Sequence, residues 1–167
     1  KLSLPGVVDP NWIANTDAEV RALAVDAVGR IYVSGYFTHV GGFARPYIAR
    51  LQNTTDGAVD STWSSIASSN GVYPLLLRPE GLYAIGYFSS SNIVRLSTVA
   101  GSTDAGWAPQ LSGSAYGLAA TAAGDLLLVG NFTSVTGTPR SGPAKLGPGL
   151  SARPAPPVAP APTSGPR

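Results

Sequence analysis

Apolar and small or polar side chains alternate with period two through Val20-Arg21-Ala22-Leu23-Ala24-Val25, the pattern of a strand with one buried face. Gly29-Arg30 turns the chain, and Ile31-Tyr32-Val33-Ser34-Gly35-Tyr36-Phe37 then concentrates β-branched and aromatic residues, predicting a second strand. A hairpin loop carrying Gly41-Gly42 follows, then a third strand, Tyr47-Ile48-Ala49-Arg50-Leu51. Asp56-Gly57 turns the chain once more into a short segment ending at Trp63. Three strands and a short fourth thus fit within roughly 45–50 residues. No 3.6-residue period runs long enough to compete as a helix.

The same pattern returns twice. Trp12, Trp63 and Trp107 each stand 23 residues before Gly35, Gly86 and Gly130, and each glycine is followed two places later by Phe37, Phe88 or Phe132. Three residues before each Trp stands Asp9, Asp60 or Asp104. Residues 9–51 superpose without gaps on 104–146, with 14 identities in 43 positions, including Leu23/Leu118, Arg45/Arg140 and Leu51/Leu146. The middle copy is shorter, because Phe88 reaches Arg95 in seven steps where Phe37 to Arg50 and Phe132 to Lys145 take thirteen. Each copy closes on a basic residue and Leu, at Arg50-Leu51, Arg95-Leu96 and Lys145-Leu146, and the chain opens on the same signature, Lys1-Leu2. The expected units are about 1–49, 50–94 and 95–146, with the first residues forming the end of an earlier unit.

Four short antiparallel strands per repeat predict an all-β partial β-propeller of about three blades. A blade cannot bury both faces alone, so large apolar residues at fixed places should fill the faces between blades. Trp12, Trp63, Trp107, Phe37, Phe88, Phe132, Leu51, Leu96 and Leu146 are expected there, with Gly35, Gly86 and Gly130 as structural repeat positions. Propellers usually close with four to eight blades. The expected partners are therefore the remaining blades of a parent chain, encoded upstream, or a second copy of this one.

From Gly147 onward the composition changes, with 7 of the chain's 15 prolines inside 21 residues and almost no apolar side chain larger than Val. Such a stretch cannot offset its ordering entropy by burial, so residues 147–167 are expected to be a disordered Pro/Ala-rich linker or tail. A Pro-rich ligand for an aromatic groove is the functional alternative. The tail also holds Arg153 and Arg167 and no acid, leaving 9 basic and 9 acidic residues in the body. A neutral body nominates no nucleic acid partner. The absence of Cys excludes disulfides, thiol nucleophiles and Cys-ligated metal, and a lone His cannot build a histidine cage. No run of 18 apolar residues exists to span a membrane, and residues 1–5 lack a signal-peptide core. No motif calls for a metal or cofactor.

The recurrence of Asp9, Asp60 and Asp104 after a turn points to capping of local backbone, since catalytic carboxylates differ in environment and occur once. Asn53-Thr54-Thr55-Asp56-Gly57 lacks the alternating ligands of a calcium loop, and Gly113-Ser114-Ala115-Tyr116-Gly117 has Ala at the centre of what would be a nucleophile elbow. No catalytic residue is therefore assigned. The loop after Phe37 varies most between units and joins polar with aromatic groups, so a ligand site is expected at His39, Phe43, Arg45 and Tyr47, with Arg140 matching Arg45. Asn53-Thr54-Thr55 and Asn131-Phe132-Thr133 match the N-glycosylation acceptor pattern.

Taken together, Asp-x-x-Trp, a glycine turn, an apolar strand ending Gly-x-Phe, then Thr-x-Val-x-Gly-x-x-Arg and Ala-Arg-Leu resemble the delta-60 repeat propellers of secreted and surface-associated bacterial proteins, over residues 1–146. The resemblance implies a propeller scaffold that works extracellularly or at the cell surface, and no shared catalytic residues. The expected function is a non-enzymatic binding or scaffold segment of a larger propeller, with a carbohydrate or protein ligand. The alternative is a glycan-acting hydrolase or lyase, which would need the unmatched acids Asp17, Glu19 and Glu80 to converge.

Overall fold

The computed structural model describes residues 2–3, 6–65, 70–88 and 91–147. The tail from residue 148 onward lies outside the described residues, as do Lys1 and the loop position matching His39 in the middle unit. The chain opens with β1 (Leu2–Ser3) and β2 (Val7–Val8), followed in the first unit by β3 (Val20–Val25), β4 (Ile31–Gly35), β5 (His39–Val40), β6 (Phe43–Ala44) and β7 (Ile48–Leu51). The second unit holds β8 (Val72–Arg78), β9 (Gly81–Gly86) and β10 (Ile93–Leu96). The third holds β11 (Ala115–Ala120), β12 (Leu126–Gly130), β13 (Ser134–Val135), β14 (Thr138–Pro139) and β15 (Ala144–Leu146).

Each unit forms an antiparallel three-stranded sheet, β3-β4-β7, β8-β9-β10 or β11-β12-β15. The fourth strand shrinks to single bridges, Leu51↔Val59 and Leu96↔Thr103. The reason is the aspartate that follows: Trp63 N–H donates to the Asp60 carbonyl at 3.4 Å and Thr62 N–H to Asp60 Oδ1 at 3.0 Å, so the chain turns before a ladder can grow. At the start of the chain the corresponding pairing extends to two residue pairs, Leu2↔Val8 and Ser3↔Val7. The outer units add a small hairpin, β5–β6 or β13–β14, which the short middle copy cannot supply from its seven-step connection. Together these sheets make an all-β partial propeller.

The units stack face to face, with β3 packed on β8 and β8 on β11, so the first strand of each sheet lies where the units converge. Between the first and second units, Tyr32 and Ile48 pack on Trp63, Val72, Leu82, Ala84 and Leu96. Between the second and third, Tyr83, Ile85 and Ile93 pack on Trp107, Leu126, Leu128, Phe132 and Leu146. Burying a large aromatic side chain contributes on the order of 2–3 kcal/mol, and edge-on contacts add to it: Tyr32 meets Trp63 at 5.5 Å and Tyr83 meets Trp107 at 4.8 Å between centroids. Trp12, by contrast, is only half-buried, packed against Val33, Phe37 and Leu51 of the first unit.

The strand-end glycines answer a steric demand. A Cβ on Gly35 would lie 2.0 Å from the Glu19 carbonyl oxygen, one on Gly86 2.7 Å from that of Gly71, and one on Gly130 2.1 Å from that of Ser114. Only glycine lets the second strand approach the start of the first this closely. At that point each first strand carries a bulge, between Val20 and Ala22, between Val72 and Leu75, and between Ala115 and Gly117.

Candidate ligand-binding rim

A bulge inserts one residue outside the ladder and re-aims its side chain. Val20 pairs Gly35 and Ala22 pairs Ser34, leaving Arg21 as the extra residue; Ala115 and Gly117 likewise leave Tyr116. In the second unit Tyr73 and Pro74 oppose Ile85 between the pairs Val72↔Gly86 and Leu75↔Ala84, which puts Tyr73 at the equivalent place. Pro74 is tolerated because a bulge relieves the ladder's need for every N–H. One residue beyond the strand-end glycines stand Tyr36, Tyr87 and Asn131. These positions share one end of the sheets, where the first strands begin and the second strands finish.

The side chains form a row. Arg21 lies over the Tyr36 ring at 5.2 Å, Tyr36 meets Tyr73 edge-on at 5.8 Å, and Tyr73 meets Tyr87 at 6.3 Å. The phenol oxygens of Tyr36 and Tyr73 are hydrogen-bonded at 2.9 Å, and the buried Ser34 hydroxyl donates to the Tyr73 carbonyl at 2.8 Å, clamping the first unit to the bulge of the second. The hydrogen bond from Tyr36, with some burial, pushes the Tyr73 phenol up to about 12, so the row stays uncharged there at neutral pH. Arg21 also pairs with Glu19 at 3.1 Å.

At the next junction the equivalent tyrosines, Tyr87 and Tyr116, line an open cavity of about 310 Å³ together with Tyr73, Asn92 and Ser114. Tyr116 is 63% exposed and Tyr87 42%. Asn92 Nδ2 donates to the Gly113 carbonyl at 2.9 Å, which fixes the amide beside the cavity. Aromatic faces with a few fixed polar groups are the ordinary equipment of a small-ligand site.

The loop residues expected to bind ligand fall elsewhere and only partly together. His39 pairs Ala44, and Val40 pairs Phe43, so His39, Phe43 and Arg45 share the β5–β6 hairpin. His39 Nδ1 lies 3.2 Å from Asp17 Oδ2, and Asp17 also accepts the Thr38 and His39 amides at 2.7 and 3.0 Å. The Thr38 hydroxyl first, then the His39 amide, hold the Asp17 carboxyl well below the usual carboxylate range. In the third unit Ser112 does the same work, its hydroxyl accepting the Thr133 and Ser134 amides at 3.0 and 2.7 Å. Asp17 is therefore a hairpin anchor. Arg45 donates to the Ala44 carbonyl at 2.9 Å, while Phe43 is exposed. Tyr47 turns away to pack against the junction of the first and second units, at φ 66°, where the third unit has Gly142 at φ 79°. Arg140 lies on the third unit's hairpin, its amide donating to the Thr133 carbonyl at 2.8 Å as Arg45's does to Thr38.

Two of the recurring aspartates, Asp60 and Asp104, bind the recurring arginines Arg50 and Arg95. Asp60 Oδ2 accepts from Arg50 Nε at 2.9 Å and Nη2 at 2.7 Å, with both side chains buried, and Arg50 reaches across to the Thr98 carbonyl of the second unit. Arg50 also lies over Tyr32 and Trp63, at 5.9 and 5.8 Å. Asp104 accepts from Arg95 Nε at 2.9 Å and caps Gly106 N–H at 2.9 Å. Asp9 Oδ1 accepts Asn11 N–H at 3.1 Å. The third unit departs from this arrangement, since Lys145 pairs with Asp125 at 2.5 Å. Nor do the unmatched acids converge: Glu80 sits at the β8–β9 turn with the Tyr83 hydroxyl at 3.0 Å, at the opposite end of the sheets from Asp17 and Glu19. No group of three or more potential metal ligands exists among the described residues.

Repeated three-stranded sheets, stacked on aromatic junctions with first strands innermost, define a β-propeller repeat protein. Within that class, the family model described as "Domain of unknown function (DUF5122) beta-propeller" matches residues 29–62. That stretch carries β4, the β5–β6 hairpin, β7 and the Asp60 turn. No curated protein and no solved structure matches the chain.

Proposed function

We propose that the chain is a non-enzymatic binding and scaffold segment of a larger extracellular or cell-surface β-propeller built of delta-60-type repeats. The observation that carries this reading is the contrast between inner and outer blade faces. Tyr32 and Tyr83 are 0% and 3% exposed at the two junctions, whereas their counterpart Leu127 is 37% exposed; Ser34 and Ile85 are 0% and 2%, and their counterpart Val129 is 49%. On the opposite outer face Leu23 and Val25 are exposed where Leu75 and Leu77 are half-buried. These faces have the apolar character of surfaces made to receive a further unit, from the parent chain or a second copy. The separation of Glu80 from Asp17 and Glu19 supports binding over hydrolysis.

Sedimentation velocity of the full chain tests this. A head-to-tail contact between unlike faces is heterologous, so association should grow with concentration and weaken in both Leu23→Lys and Leu127→Lys. A chain that stays monomeric at every soluble concentration defeats the reading of these faces as surfaces that receive a further unit.

A further inference from the structure

Of the surfaces on the molecule, the hollow between the second and third units joins shape to a definite chemistry. Its lining residues include three tyrosines, an asparagine and a serine, and no charged side chain among the described residues. A site without charge discriminates against phosphates, carboxylates and amines, because such groups would lose hydration with no partner to replace it. Phenol, amide and hydroxyl groups both donate and accept, which suits hydroxyl-rich ligands. Exposed tyrosine rings supply apolar faces on which the C–H face of a sugar can lie, while their hydroxyls stay at the wet edge.

The hollow is also not isolated. It continues the row Tyr87–Tyr73–Tyr36–Arg21 of the second and first units, with successive ring centroids 6.3 and 5.8 Å apart, to Tyr116 of the third. Because the bulge recurs in each unit, the rim presents side chains at regular intervals to a ligand that is itself repetitive.

We propose that the hollow lined by Tyr73, Tyr87 and Tyr116 is a subsite for a neutral polysaccharide, whose chain extends along the tyrosine row. This rests on the binding-scaffold reading above and names its ligand class. The test is affinity electrophoresis of the full chain in native gels holding soluble β-1,3-glucan, dextran or galactomannan, with polygalacturonate as the acidic comparison. Retardation is expected in at least one neutral gel, weakened about tenfold by Tyr116→Ala and by Tyr87→Ala, largely kept by Tyr116→Phe, and unchanged by Val99→Ala. Equal urea midpoints establish that the variants are folded; Tyr116, being mostly solvent-exposed, decides the matter if Tyr87→Ala shifts its midpoint. The proposal is overturned by no retardation in any neutral gel, by retardation that both alanine variants retain, by retardation in polygalacturonate alone, or by binding of a synthetic 148–167 peptide with none of the sugars. A negative gel with self-association intact removes the subsite and leaves the scaffold reading; the reverse result removes the stacking faces and leaves the subsite.

Discussion

Asp60→Asn is a sharp test of how the blades are joined. The amide keeps an oxygen for the Thr62 N–H, 3.0 Å from Asp60 Oδ1, but removes the charge facing Arg50. Arg50 is 3% and Asp60 9% exposed, so the guanidinium is left as an uncompensated buried cation, which costs about 3–5 kcal/mol. The equivalent change, Asp104→Asn, faces an Arg95 that is 22% exposed on an aspartate 38% exposed, where water replaces most of the loss and the cost is about 1 kcal/mol or less. Urea unfolding of the full chain at pH 7 measures both. With a slope of about 2 kcal/mol per M, the Asp60→Asn midpoint should fall by about 1.5–2.5 M and the Asp104→Asn midpoint by no more than about 0.5 M. Adding Arg50→Met to Asp60→Asn removes the orphaned charge while keeping apolar contact with Tyr32 and Trp63, and should recover most of the deficit. Equal losses at the two sites, or a double variant no better than Asp60→Asn, would refute the idea that burial of the Arg50 charge governs this junction.

Acid should loosen the same joints. Burial opposes ionisation of Asp60, yet the Thr62 and Arg50 hydrogen bonds outweigh it, while the Arg95 hydrogen bond leads for Asp104, so both titrate lower folded than unfolded. Their stabilisation is complete above the ordinary carboxylate value of about 4 and is lost as pH falls through the folded-state values; a urea midpoint that holds from pH 7 down to about 5 and then drops is expected, and one that rises on acidification contradicts the pairing. Gly130→Ala should cost more than about 2 kcal/mol, because its Cβ would lie 2.1 Å from the Ser114 carbonyl oxygen, whereas Gly106→Ala meets only the Asp104 carboxylate at 3.2 Å and should stay within about 0.5 kcal/mol; thermal melts of the pair that coincide would discount the close strand approach. Asp17→Ser, which copies the Ser112 anchor, should keep the β5–β6 hairpin protected from proteolysis, and Asp17→Ala should expose it.

Much of this architecture is legible in the sequence because recurrence marks positions under the same constraint. The 23-residue spacing from Trp to Gly suffices to place the junction aromatics and the strand ends. Recurrence does not name partners: Asp60 and Arg50 both stand out, but a bond across ten residues needs the turn geometry that brings Val59 back to Leu51. The tyrosine rim is hidden for a different reason. Trp12 and Gly35 map onto Trp63 and Gly86 with a shift of 51 residues, but Arg21 maps onto Tyr73 with a shift of 52, because one residue is gained before β8 and lost in the tighter Arg78–Gly81 turn. Sliding the sequence at one offset sets Arg21 against Val72 and conceals the bulge. The signal that could reveal it is the triplet pattern Val20-Arg21-Ala22, Val72-Tyr73-Pro74 and Ala115-Tyr116-Gly117, in which a large polar-tipped residue stands between apolar or small neighbours.

The bulge separates what holds the sheet from what the molecule shows to its surroundings. Arg21, Tyr73 and Tyr116 are extra to the ladders, so their side chains can be exchanged without moving the pairs on either side. A guanidinium and two phenols already occupy the same socket in one chain. Three such sockets stand in spatial order along one end of the sheets, so the chemistry of that edge is set by residues that take no part in the ladders.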